Sequence, residues 1–440
     1  MKRIDCILFI INLPNICQKV LKQVLTSFIS SLRETKIVSN FLNLSSIQIS
    51  NTLLILLMYP IITRIIGITD LGLVMLANTF SGLAGIIINY GTNQSGIRDI
   101  ATHSHDRKGL NNVLNNTIWI RLLIFAAYII FVVCLKWANI RYYTYIILSI
   151  PLVFAEVLNP LFFFLGLEKL KLYNIANLIS KVVIIASVVF FIKGPGDSEW
   201  VNFIMGMATM LAYGILMFYV LIKYKLSFRF PQNTELKKIT VDNFFLTINN
   251  ISVHLQQSLM IFSLAKWGDP LWLGAYSLCD KVIGSSRLLL ISVSNAIYPK
   301  AAQLYKESIG AWKAYKIKMK KLVALMFFAL SLGLFIMPGF VIQVLSGEQN
   351  QTAIDFLRIM AFVPTLAALN VLNVLDLLLK NDTLSIFRIA LILLAISTFV
   401  AWILVTQGLQ HWFGIYAIII EGSALLMYEY VIKKSSSKYV

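Results

Sequence analysis

Thr247, Asn250, His254 and Gln257 recur at i, i+3, i+7 and i+10 in an otherwise apolar stretch, so a helix there carries all four on one face. Asn249, Ser252 and Gln256 add to its polarity. Asn78, Gly82, Gly85 and Asn89, at i, i+4, i+7 and i+11, make a second, weaker polar face. Charges are buried in the same kind of surroundings: Arg121, Glu156, Lys181, Asp280, Lys281, Arg287 and Glu421 each lie at least six residues inside an apolar segment. On insertion scales such a group costs roughly 2.5–3.5 kcal/mol at a helix centre, which excludes unpaired contact with lipid. Two readings satisfy that cost. The polar groups bond helix to helix and pair with one another, or they line a water-filled cavity. Asp376 and Glu429, near segment ends, suit pairing. The four cysteines (Cys6, Cys17, Cys134, Cys279) show no metal-ligand or disulfide spacing, and no GxxxxGK[ST] phosphate loop occurs, so neither metal nor cofactor is expected.

These groups must be positioned by membrane helices. The chain has 440 residues, 58% hydrophobic and 13% charged, about half the ~25% charge of a soluble domain. The apolar residues come in blocks of about 20, the length that crosses ~30 Å of hydrocarbon. Soluble enzymes, secreted disulfide scaffolds and disordered chains are excluded. The expected fold is an all-α polytopic membrane protein with twelve spans, near 41–63, 71–91, 115–135, 143–166, 174–192, 200–222, 243–265, 272–298, 322–343, 356–379, 389–406 and 412–431. With the N-terminus inside, the cytoplasmic segments hold 28 Lys and Arg and the outside loops 5. That bias predicts both termini in the cytoplasm. The net charge of +18 reads the same way, as topology determinants and contacts to lipid headgroups, with no nucleic-acid partner.

Residues 1–40 form an N-terminal segment whose apolar positions, Val20, Leu21, Val24, Leu25, Phe28, Ile29 and Leu32, paint one face of an interfacial helix. Cleavage as a signal peptide is not expected, since Asp5 breaks the apolar run. The basic stretch 223–242 is the expected linker between an N-terminal half, 41–222, and a C-terminal half, 243–440. A repeat supports two halves. At an offset of 202 residues Leu71-Gly72 matches Leu273-Gly274, Leu76 matches Leu278, Asn78 matches Asp280 and Gly82 matches Gly284. Six spans separate the copies, so the halves run in parallel.

Four stretches resemble the polysaccharide flippases that export O-antigen or capsule repeat units, within the superfamily that also holds multidrug-and-toxin extrusion transporters. They are Tyr59-Pro60-Ile61-Ile62-Thr63-Arg64-Ile65-Ile66-Gly67, Asn89-Tyr90-Gly91 with Arg98-Asp99-Ile100-Ala101, Phe162-Phe163-Phe164-Leu165-Gly166-Leu167-Glu168-Lys169, and Leu273-Gly274-Ala275-Tyr276-Ser277. In the third, Leu165 stands where the family usually has glutamine. The resemblance implies two six-helix bundles around a central cavity that opens alternately to either side of the bacterial inner membrane. The cargo it implies is an undecaprenyl-diphosphate-linked oligosaccharide, and other polysaccharide assembly proteins are implied partners. For that cargo, Arg121, Lys181, Lys281 and Arg287 would meet the diphosphate, and Asn78, Asn250, His254 and Gln257 the sugars. Glu156, Asp280 or Glu421 would couple transport to an ion gradient. An antiporter of drugs or metabolites on the same scaffold, or a membrane enzyme of polysaccharide assembly, are the alternatives.

Overall fold

The computed structural model describes residues 36–137, 142–231, 233–380 and 382–436. Ser50–Val440 form one compact unit, which the following concerns; the expected interfacial helix of residues 20–32 lies outside the described residues. All regular structure among the described residues is helical. The first helix, α1 (Lys36–Asn89), turns at Gly67, whose φ of 81° and ψ of 167° only glycine adopts without strain. One residue therefore replaces the loop expected between the first two spans. A short helix, α2 (Thr92–Thr102), follows, then α3 (Arg107–Trp137). The fourth expected span is broken into α4 (Tyr143–Leu148), α5 (Ile150–Leu158) and α6 (Leu161–Gly166), with Pro151 and Pro160 at the breaks. The long helices α7 (Leu170–Phe191) and α8 (Trp200–Lys223) complete the first half.

The chain continues with α9 (Asn233–Trp267), α10 (Pro270–Glu307), α11 (Ile309–Ile336), the short α12 (Pro338–Ser346) and α13 (Gln351–Met360), then α14 (Val363–Leu379), α15 (Thr383–Thr406) and α16 (Ile415–Ser436). Six of the twelve expected segments (41–63, 115–135, 200–222, 243–265, 272–298 and 389–406) lie within single helices, and the other six run past a helix end or across a break. By length and composition, nine helices among the described residues are apolar enough to cross a membrane. The 35-residue α9 and the 38-residue α10 are not among the nine: they carry the polar face and Asp280, Lys281 and Arg287. Outside, Ile130, Ile215, Phe218, Phe190 and Leu426 are exposed, an apolar surface that lipid must cover. Asp376 does pair, with Lys316 (3.4 Å), Lys380 (3.1 Å) and the buried Trp312 indole (2.7 Å), and Glu429 pairs with Lys320 at 2.8 Å.

The repeat has a physical meaning. Gly72 and Gly274 pack against each other: a methyl on Gly72 would come within 2.6 Å of the Gly274 nitrogen, and one on Gly274 would collide with the Ile68 carbonyl. The matched glycines are where the second segment of α1 and α10 touch backbone to backbone. Nearby, Arg64 Nη2 donates to the Val344 carbonyl at 2.7 Å.

The linker is shorter than 223–242, because α9 starts at Asn233 and carries Lys237 and Lys238 as helix. What remains is fastened along α3. Arg107, Asn111, Asn115 and Trp119, one every four residues, form a stripe on that helix. Asn111 Oδ1 accepts from Ser227 N (2.9 Å), and Asn115 bonds both Ser227 O and Arg229 N (2.9 Å each). Trp119 Nε1 donates to Arg229 O (2.9 Å), and Arg107 Nε to Lys225 O (2.9 Å). Phe230 stacks on Trp119 at 4.5 Å.

Candidate functional site

A cavity of about 660 Å³ lies between the second segment of α1, the α5–α6 break and α9, within the size range of ligand sites. α1 contributes Asn78, Ser81, Gly82, Gly85 and Asn89; the turn beyond it, Gly91, Asn93 and Gln94; the broken span, Glu156 and Asn159; and α9, Asn250, His254 and Gln257. The two faces expected from spacing thus do meet, because α9 crosses α1 where glycine leaves room. His254 Cε1 would lie 3.2 Å from a methyl on Gly82, and its Nε2 is 3.3 Å from the Thr79 carbonyl. Glu156 occupies the space that Gly85 leaves, with its Cγ 2.9 Å from where a methyl would be. Seven of the lining residues are amides, each able to donate and accept. The one charged residue on the wall is Glu156. Such a lining suits an uncharged, hydroxyl-rich ligand.

The expected cations are placed elsewhere. Arg121 is fully buried behind the wall, and all five of its N–H groups are used. Nε donates to Thr92 Oγ1 (3.0 Å), Nη1 to the carbonyls of Asn159 (2.8 Å) and Glu156 (3.2 Å), and Nη2 to Asn89 Oδ1 (3.0 Å) and Asn93 Oδ1 (3.1 Å). In this arrangement it has no donor left for a diphosphate. Lys281 lines neither cavity. One residue past Asp280 is about 100° around the helix, and its Nζ lies 5.5 Å over the Tyr59 ring. Lys181 is not on the wall either: half-buried, it falls on the same side of α7 as the buried Ile184 and Val188.

Arg287 does line a cavity, though a second and smaller one, of about 180 Å³, within the C-terminal half. Its Nη2 pairs with Glu421 Oε1 at 3.0 Å and its Nε reaches the same oxygen at 3.2 Å. Asp280 and the unpartnered Asn370 Oδ1 line the same space. Asn78 and Asp280, repeat partners, therefore face different cavities. Val253 and Gln257 of α9 line both, so that helix is the partition between them. Asn93, Gln94 and Asn159 are wall residues that spacing missed. Asn93 continues the Asn89 face by one turn beyond the Tyr90-Gly91 reversal, where periodicity counted along one helix stops.

Long apolar helices around an amide-lined cavity, with buried charges turned inward, define a multi-pass membrane protein of transporter architecture. Residues 37–305 match the model of a family described as polysaccharide biosynthesis protein, and the chain belongs to that family. Among its relatives, an Escherichia coli (strain K12) protein named as an O-antigen transporter is 21% identical over 75% of this chain and 80% of its own. One of the same name from Shigella dysenteriae is 25% identical over 74% and 82%. Among solved structures, the inward-facing conformation of a multidrug resistance MATE family transporter of the MOP superfamily superposes with a TM-score of 0.71 at 14% identity. That likeness covers 90% of this chain and 100% of the other, so the two share a fold.

Proposed function

We propose that the protein is a flippase. It moves an undecaprenyl-diphosphate-linked oligosaccharide from the cytoplasmic to the periplasmic leaflet of the bacterial inner membrane by alternating access between halves 41–222 and 243–440. The amide lining of the larger cavity carries this reading. Asn78, Asn250, His254 and Gln257 hydrogen-bond the sugars there while the isoprenoid tail stays in lipid. The names of the relatives support the same class of cargo. With both termini cytoplasmic, the Gly72–Gly274 contact is at the periplasmic end and Gly91–Gln94 at the cytoplasmic end of the cavity. The diphosphate meets Arg287 by displacing Glu421, reached past Gln257. A released Glu421 then takes up a proton or sodium ion, and Asp280 and Glu156 are the other carboxylates in reach of such coupling.

A second reading has one observation in its favour. Glu156 is the charged residue of the larger cavity, as a site for cationic drugs or metabolites would require. Complementation of a flippase-deficient strain separates the two. Asn250→Ala combined with Gln257→Ala should abolish surface polysaccharide at unchanged membrane level, whereas an antiporter would not restore polysaccharide even as wild type.

A further inference from the structure

Pro160 has no N–H, so the Glu156 carbonyl, four residues earlier, loses its helical partner. Asn159 is extended (φ −60°, ψ 107°), which takes its own carbonyl out of the helix as well. In a membrane interior, carbonyls freed in this way must find a donor within the protein. Both find Arg121 Nη1. The other three donors of the same guanidinium hold Asn89, Thr92 and Asn93, at the end of α1 and the start of α2. One buried side chain thus ties two separate segments together. Asn89, Asn93, Glu156 and Asn159 of those segments line the larger cavity, while Arg121 does not. Phe162 closes the guanidinium face, with its ring centroid at 5.1 Å.

We propose that Arg121 is a positioning residue. By satisfying the carbonyls that the Pro160 break leaves free, it fixes the broken span against the α1–α2 turn and sets the spacing of the cavity wall opposite α9. Its importance to transport rests on the reading of that cavity as the substrate site; its geometry does not. Lysine has one nitrogen and cannot serve five acceptors spread over two segments, so Arg121→Lys keeps the charge and loses the clamp.

The test reads wall position without using transport. In a chain with Cys6, Cys17, Cys134 and Cys279 replaced, a single cysteine is introduced by Gln94→Cys on the clamped wall or by Gln257→Cys on the facing wall. A membrane-impermeant maleimide is applied to inside-out vesicles. Arg121→Lys should change the labelling rate severalfold at position 94 and leave position 257 unchanged. Thr92→Val, which removes one acceptor and is the milder variant if Arg121→Lys fails to accumulate, should shift position 94 in the same direction by less. An unchanged rate at 94 in both variants, or equal changes at 94 and 257, overturns the proposal. A shift confined to 94 with surface polysaccharide fully retained would support the clamp and instead count against the cavity as the transport path.

Discussion

Arg287 and Glu421 are buried to similar extents, with side chains 19% and 17% exposed. Removing one leaves the other charged and unpaired, which in buried pairs costs on the order of 3 kcal/mol. Arg287→Ala should therefore lower the thermal unfolding midpoint in detergent, and Arg287→Ala with Glu421→Gln should recover most of it. Transport should not recover in the double variant, because no cation remains for the diphosphate. Arg287→Lys should restore transport only in part, a point charge having replaced a fork. Recovery of surface polysaccharide in the double variant would make the pair purely structural. At this scale the sequence shows that a mid-membrane charge must be compensated, without showing by what. Arg121, Lys181, Lys281 and Arg287 look alike in a list of buried cations. A proline break 39 positions along the chain, an aromatic ring and an acid on the last helix set Arg121, Lys281 and Arg287 apart, and each is a tertiary neighbour.

Among the elements, the linker is where local pattern and structure differ most. Five cations between 223 and 242 read as a solvated connection, but helix formation tolerates lysine well and α9 runs through half of it. The asparagines at 111 and 115 give the rest away only in hindsight, since a four-residue polar stripe on a membrane helix fits many partners. Asn115 makes two bonds to linker backbone, each worth about 1 kcal/mol. Asn115→Ala should then speed tryptic cleavage after Lys225 and Arg229 in inside-out vesicles while leaving the unfolding midpoint nearly unchanged. Cleavage at the wild-type rate would mean the fastening contributes nothing to holding the linker. The break at Pro160 and the turn at Gly67 were similarly hidden: the residues are visible, but whether a proline kinks, caps or ends a helix depends on what satisfies the freed carbonyl.

For the whole molecule, the repeat at an offset of 202 residues was legible, and it foreshadows the contact of Gly72 with Gly274, since equivalent helices beside a twofold axis meet at equivalent positions. The separation into two cavities was not, because it depends on α9 standing between them. The same contact makes a prediction of alternating access. A cysteine pair introduced by Leu71→Cys and Leu273→Cys, joined by a short bifunctional reagent, should arrest surface polysaccharide production, and reduction of a cleavable reagent should restore it. Continued production in the joined state would mean that the halves need not part at this end. The central claim, that the lipid-linked oligosaccharide itself is the cargo, is tested most directly by reconstitution. Purified protein in liposomes carrying the undecaprenyl-diphosphate-linked repeat unit should make headgroups of the inner leaflet accessible to an external lectin, faster with an ion gradient than without. Asn250→Ala with Gln257→Ala should remove the effect. Liposomes in which the headgroups stay inaccessible, while the same protein exchanges a cationic dye for protons or sodium, would contradict the account.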